Sequence, residues 1–427
     1  MNHSHVEALV EHLFRREFAR LVAGLVRHLG ARHLDLAEDV VQEALLRALN
    51  SWAYHGVPKC PEAWLTRVTR NLALDRVRRE ALGARVEGEL EFWRDREHDP
   101  DSHAAGELAD DTLRLLFLCC HPALALESRV ILTARQVCGL GTAEIARALL
   151  HTESAVAQRM VRAKRTVLDT NAKFELPGPS ERAQRLDAVL EVLYMLFNEG
   201  HTANSGANLV RTDCTHEAVR LVELLLELPE GKDPRVFALA ALFRLLGARL
   251  GSRLDSAGEL LVLDEQDRTH WDQEWIQRGL QHFAAAISGN QLSRFHVEAA
   301  IALAHATATS DQTADWRTIL QQYDVLMQLA PSAVVELNRA VAVARVHGAK
   351  AGLAALEALA ARGELADYHL LESTRGLWLW SLERRDEALS SLRRARELAK
   401  TEPERRLLDR RIASCQAKHQ APGNWFA

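Results

Sequence analysis

The chain has 427 residues, 48% of them hydrophobic and 26% charged, with a formal net charge of −5. That composition excludes a disordered or fibrous chain, and the length suffices for two or three domains, each with its own core. The negative balance excludes a molecule that is basic as a whole, so any contact with nucleic acid has to come from local basic stripes. With 22 glycines and 11 prolines among so many Ala, Leu, Arg and Glu residues, long helices are favoured over turn-rich sheets. No apolar run reaches membrane-spanning length, and Met1 to Arg20 has no apolar core of the kind a secretory signal needs, so neither membrane nor export is expected. Cys60, Cys119, Cys120, Cys138, Cys214 and Cys415 follow no disulfide or zinc spacing, which suits a reducing cytoplasm.

Apolar positions recur at three- and four-residue spacing nearly throughout, which predicts an all-α fold. In chain order, the first informative element is Asp35 to Leu49. Ala37, Val40, Val41, Ala44, Leu45 and Ala48 form one apolar stripe, while Asp35, Glu38, Asp39, Gln42 and Glu43 face elsewhere. By itself this is equally a solvated surface helix whose acidic first turn suits its dipole. Pro61 to Glu80 follows, with Trp64, Leu65, Val68, Leu72 and Val77 at helical spacing. Its other face carries Arg67, Arg70, Arg76, Arg78 and Arg79, whose guanidinium groups can clamp a phosphate backbone or simply be solvated.

The charged, poorly periodic stretch Gly83 to Glu107 reads as a tether. Beyond it, Gly141 to Ala146 opens a short helix with Thr142 as its expected N-cap, and the chain turns near Leu150-His151-Thr152. A second helix runs from Glu153 to about Leu168, with Val156, Met160, Ala163 and Val167 inward and Ser154, Ala155, Gln158, Arg159, Arg162 and Arg165 outward. This is a helix-turn-helix pattern, although two helices of an ordinary bundle would give the same spacing. Gln158 and Arg159 sit early, where side chains reach base edges; Arg162, Lys164 and Arg165 sit later, toward phosphates. Pro177-Gly178-Pro179 then interrupts the helices. Near the end, helices opening at Gly348 and Arg385 resemble the second helix of a tetratricopeptide unit, with Ala351, Ala355 and Ala358 corresponding to Ala388, Leu392 and Ala395 at the close approach of paired helices.

Three of these segments, in this order, resemble the extracytoplasmic-function sigma factors. AEDVVQEALLRAL resembles the region-two helix that docks on the beta-prime clamp helices of RNA polymerase, AWLTRVTRNLALDRVRRE their minus-ten recognition helix, and TAEIARALLHTESAVAQRMVRAKRTV their region-four helix-turn-helix, which reads the minus-35 element. Leu116 to Pro122, Leu196 to Gly200, Leu263 to Arg268 and Leu337 to Ala342 resemble segments of a subgroup with a tetratricopeptide-like C-terminal extension; His201 departs from the aromatic residue many relatives carry there. The resemblance implies region two over 1–82, a flexible linker over 83–107, region four over 108–172, a linker over 173–186 and a C-terminal regulatory domain over 187–427, acting in cis. It implies core RNA polymerase (beta-prime clamp and beta flap) and promoter DNA as partners, in the cytoplasm. Polymerase would be met by Asp35, Glu38, Asp39, Gln42 and Glu43, and the minus-ten element by Arg67, Arg70, Asn71, Arg76, Arg78 and Arg79. The minus-35 element would be met by Thr142, Ser154, Ala155, Gln158, Arg159, Arg162, Lys164 and Arg165.

Elsewhere the residues point to packing or to loops. Cys119-Cys120-His121 lacks a second ligand pair at zinc spacing and reads as core, and His3, His5 and His12 lie on a terminus that preorganises nothing. Trp271, Trp275 and Trp316 also read as core. Asn198, Glu199, Asp264, Glu265, Asp267 and Arg268 are candidates for regulatory loops, or for buried networks that tie helices together. No nucleophile–base pair, phosphate-binding glycine loop or metal motif occurs, so no cofactor, metal or enzymatic activity is expected. A one-component regulator joining a helix-turn-helix to a repeat sensor would explain residues 141–168 but leave residues 35–80 idle, and a peptide-binding scaffold would ignore both basic helices.

Overall fold

The structure, a computed structural model, describes residues 17–79, 105–149, 151–170, 172–201, 212–255, 258–310 and 313–417, and it is helical with no sheet among those residues. The chain divides into two compact units, Met1–Leu196 and Phe197–Ala427.

In the first unit, α1 (residues 17–29) turns at Gly30, whose φ of 85° is one that a side chain would strain, and a 3-10 turn leads into α2 (Leu34–His55). The stripe expected on α2 is buried: Ala37, Val40, Val41, Ala44 and Ala48 are fully covered and Leu45 nearly so. Its small residues let α3 (Pro61–Arg79) approach closely, with Trp52 edge-on to Trp64 at 5.3 Å between ring centroids. Proline suits the first position of α3, where its missing N–H costs no helical bond.

The tether expected at 83–107 lies outside the described residues except for Ala105 to Glu107, which already belong to α4 (Ala105–Cys119). Next come α5 (Leu126–Gln136), α6 (Thr142–Ala148) and α7 (Glu153–Asp169). Cys119 and Cys120 are buried, and burial pushes the Cys120 thiol up to about 12 and that of Cys119 well above its ordinary value, as inert packing requires. The linker expected at 173–186 turns helical at Pro179, the start of α8 (Pro179–His201). Arg185 on α8 is buried and donates to the Phe117 carbonyl at 3.3 Å while pairing with Glu181, so the opening turns of this helix are fastened to α4.

The second unit holds α9 (Thr212–Leu226), α10 (Pro234–Gly247), α11 (Gln273–Ala286), α12 (Arg294–Thr307), α13 (Trp316–Leu329), α14 (Ala333–His347), α15 (Ala349–Ala360), α16 (His369–Ser381), α17 (Arg385–Leu398) and α18 (Glu402–Gln416). Several starts are fixed by side-chain caps: Asp272 accepts from Trp275 N at 3.0 Å, Ser332 from Val335 N at 3.2 Å, and Thr401 forms a reciprocal pair with Glu404. Consecutive helices pack against one another, and Leu353, Leu356, Leu371, Trp378, Ala388, Leu392 and Ala395 share one core.

Ala388, Leu392 and Ala395 are fully buried, as the repeat pattern expects, but the matching positions on α15 are shifted. The covered face there is Gly352, Leu353, Leu356 and Leu359; Ala351 and Ala355 are half-buried and Ala358 is exposed. Gly352 sets that rotation, because a Cβ on it would lie 2.4 Å from the Ala344 Cβ. Trp271 is core as expected, whereas Trp275 and Trp316 are only half-buried and each lies 4.9 Å beneath a guanidinium, that of Arg244 and Arg345 respectively.

Candidate functional site

The second helix of the helix-turn-helix, α7, is built as its spacing predicts. Val156, Met160, Ala163 and Val167 are buried, and Ser154, Gln158, Arg162 and Arg165 are exposed, with Ala155 half-buried. Thr152 caps the helix by accepting from Ala155 N at 3.2 Å. The cap expected at Thr142 is not there: Thr142 is the first helical residue, and Glu144 reaches back to Gly141 N at 2.7 Å instead. Arg159 is held by Glu127, which also binds His151, so it is less available to bases than its position in the sequence implies.

On α3, Arg67 and Asn71 are exposed and Arg70 is half-buried. Arg76 is engaged with Glu43 of α2 at 3.2 Å, and Glu43 also takes Arg47 at 2.8 Å. The side chains of Arg78 and Arg79 lie outside the described residues.

The largest departure is on α2. Asp35 and Asp39 are exposed and Gln42 and Glu43 half-buried, but Glu38, expected on the outer face, is 5% exposed. Its carboxylate is ringed by donors from α5 and α7: Arg135 Nε at 2.5 Å, Gln136 Nε2 at 2.7 Å and Lys164 Nζ at 2.8 Å, with Gln42 Nε2 at 3.3 Å from its own helix. Lys164 binds Asp35 as well, so it is engaged by α2, whereas the sequence expected it to be turned toward phosphates. A second link joins Arg27 of α1 to Asp111 of α4 at 3.4 Å, and Arg114 binds the same carboxylate at 2.7 Å.

The electrostatics follow from enclosure. Burial pushes the Glu38 pKa up, but the charges of Lys164 and Arg135 and the hydrogen bonds of Lys164 and Gln136 outweigh it, and the carboxyl titrates below its ordinary value. Burial lowers the Lys164 pKa, and Glu38 and Asp35 more than restore it, so the ammonium is held charged above its ordinary range. Asp111 goes the other way: burial dominates over Arg27 and Arg114, and its pKa is raised. Sequence spacing gave no sign of this cluster, because Arg135, Gln136 and Lys164 lie 97, 98 and 126 residues from Glu38.

The loop candidates resolve differently. Asp267 is exposed and caps a 3-10 turn through Thr269 N at 2.9 Å, and Glu265 accepts from Val262 N at 3.1 Å. Arg268 donates to the His305 and Ala308 carbonyls at the C-terminus of α12, and Asp264 is buried 3.9 Å from Arg345. Asn198 is half-buried near the end of α8; the side chains of Glu199 and His201, and residues His3, His5 and His12, lie outside the described residues. Among the described residues, no group of three His, Cys, Asp or Glu could hold a metal ion, and no helix is long and apolar enough to cross a membrane.

Residues 14–82 match the family described as Sigma-70 region 2, and residues 114–167 match Sigma-70, region 4. Residues 185–287 match a family of unknown function (DUF6596). An uncharacterized protein of Rhizobium meliloti (strain 1021) is 40% identical over 371 residues, covering 86% of this chain and 87% of that protein. No solved structure matches the chain. A basic helix packed on an acidic one, a helix-turn-helix beyond it, and these two matches define a sigma-70 transcription factor, which directs promoter-specific initiation. Within that family the chain belongs to the extracytoplasmic-function type and carries a C-terminal extension, into which the DUF6596 match runs.

Proposed function

We propose that the chain binds core RNA polymerase in the cytoplasm through Asp35, Glu38, Asp39, Gln42 and Glu43, and that the arrangement described above is its closed, resting form. The resemblance directs α2 toward the beta-prime clamp and region four toward the beta flap. Arg67, Arg70, Asn71, Arg76, Arg78 and Arg79 then meet the minus-ten element, and Ser154, Gln158, Arg162 and Arg165 the minus-35 element, with Arg159 joining once it leaves Glu127.

The observation that carries the closed reading is the Glu38 cluster. The same carboxylate cannot serve Lys164 and Arg135 in cis and a polymerase helix at once. Distance argues in the same direction. Two promoter elements about 25 bp apart are separated by roughly 85 Å of duplex, whereas here α7 touches α2 through Lys164. The 25 residues between Arg79 and Ala105 span at most about 85 Å when fully extended, enough for the two modules to separate on the polymerase.

The C-terminal unit is proposed to set the activity in cis, on the support of its fusion to the sigma modules and of its paired, stacked helices, the packing a tetratricopeptide array uses. Truncation after His201, which keeps the α8 turns fastened to α4, is expected to change initiation strongly; unchanged initiation and promoter choice would remove that role. The polymerase reading is tested by co-purification: wild-type chain is expected to elute with core enzyme, and Asp39→Arg to lose it. Elution apart from core for both wild type and a closed-form-weakened Arg135→Gln chain would refute the assignment.

A further inference from the structure

The second unit gathers a cluster of cationic and aromatic side chains that the sigma reading leaves without a task. Arg249 follows α10 and stands before a 3-10 turn; Arg253 lies just after that turn. Arg268 enters from the loop before α11, stacked 5.0 Å over Trp271 and bonded to the His305 carbonyl. Arg345 comes from α14, 4.9 Å over the Trp316 ring, and His305 meets that same ring edge-on at 5.2 Å. Asp264 supplies a carboxylate 3.9 Å from Arg345.

Two groups there stand out. Among the described residues, no hydrogen bond or ion pair holds Arg249, although its surroundings enclose it and its side chain remains partly accessible. The Nδ1 atom of His305 is buried and has no hydrogen-bond partner. Both feel the surrounding cations. Burial, then the charges of Arg253 and Arg268, push the Arg249 pKa down to about 10. Burial, then Arg249, Arg268 and Arg345, push the His305 imidazole down to about 3, so it is neutral. Tyr323, which acts on Arg249, is itself enclosed. Guanidinium groups gathered in poorly hydrated surroundings repel one another, and burying an unpaired one is costly unless an anion joins them. The planar forks of arginine suit an oxyanion, and the Trp316 ring lies beneath one of them as an apolar neighbour.

We propose that this cluster of Arg249, Arg268, Arg345, His305, Trp316 and Tyr323 binds a small molecule through its phosphate or carboxylate group, with Arg249 as the principal contact. The Arg345 and Asp264 side chains and the His305 Nδ1 atom are buried, which favours a small ligand over a macromolecular partner. The ligand would give the C-terminal unit a signal to read; that consequence rests on its proposed regulatory role, whereas the binding itself does not.

The experiment is calorimetric titration of the full chain, without polymerase, with inorganic phosphate and with citrate, against sodium chloride of equal ionic strength. Saturable binding of one or both is expected, and which of them binds assigns the phosphoryl or the carboxylate class. Arg249→Gln is expected to lose at least tenfold in affinity while melting no lower than wild type, since it removes a repelled charge; Arg249→Lys should bind weakly but measurably. Should Arg249→Gln fail to fold, modification of wild-type Arg249 by an arginine-selective dicarbonyl, read by peptide mass spectrometry, replaces it, with saturable protection by the bound anion expected. The proposal is overturned if neither anion binds saturably, if Arg249→Gln binds as wild type does, or if the anion leaves Arg249 modification unchanged.

Discussion

Replacing Arg135 by Gln perturbs the closed form without altering any residue assigned to polymerase or DNA. Arg135 Nε lies 2.5 Å from the Glu38 carboxylate, and the side chain is 15% exposed beside a carboxylate that is 7% exposed. Removing one partner of a well-buried ion pair costs about 3–5 kcal/mol. Here Lys164 and Gln136 remain to neutralise and bond Glu38, so about 2–3 kcal/mol of closed-state stability is the expected loss. That energy corresponds to a roughly 30- to 150-fold shift of the closed–open equilibrium toward the open form. If only the open form binds core polymerase, the apparent Kd falls by up to the same factor, until the open form predominates. The assay is equilibrium binding of fluorescently labelled core enzyme to wild-type and Arg135→Gln chains, with hydrogen exchange on α2 as a parallel readout. Tighter core binding together with faster exchange around Glu38 is expected. Equal or weaker binding by a variant whose other helices stay protected would refute the idea that region four masks the acidic helix.

Other consequences follow from the same geometry. Arg162→Ala combined with Arg165→Ala is expected to weaken promoter binding by the holoenzyme on all sequences alike and to reduce the slope of log K against log salt by about one for each phosphate no longer neutralised; a filter-binding salt titration checks it. Glu38 titrates below its ordinary value, so its contribution to the closed form is complete above about pH 4.5 and fades as the pH falls through its depressed pKa; small-angle scattering should show expansion of the wild type in that acid window and a loss of this step in Glu38→Gln. In the second unit, Glu223 is held at about 2 despite burial by hydrogen bonds from His282 and Arg244, so stability should fall as the pH drops from about 4.5 toward 2, and Glu223→Gln should flatten that part of the acid-unfolding curve. Gly352→Ala would place its Cβ 2.4 Å from Ala344 Cβ and is expected to destabilise the second unit by about 1–3 kcal/mol in a denaturant melt, with Ala351→Gly much milder.

How far the sequence foretold this structure depends on the range of the interaction. The stripes on α2 and α7 were legible because a 3.6-residue period reports directly which side of a helix is covered, and each stripe is buried as expected. Glu38 was misplaced for the complementary reason. Its position in the period is intermediate, and what buries it arrives from helices α5 and α7, which no local pattern connects to α2. The register of α15 was missed because alanine is equally at home on a packed and an exposed face, so Ala351, Ala355 and Ala358 carried little information; the close approach belongs to Gly352, whose missing Cβ was the usable signal. Arg268 is a candidate from its sequence context, but its carbonyl partners at the end of α12 and its neighbour Arg249 depend on how three separate segments converge.

The most direct measurement is run-off transcription with purified core polymerase on promoter fragments recovered with the full chain. A discrete start site that appears only when the chain is present, strengthens with Arg135→Gln and disappears with Arg162→Ala, Arg165→Ala is the expected result. Core enzyme that starts at the same places and rates with or without the chain, for wild type and Arg135→Gln alike, would contradict its role in initiation.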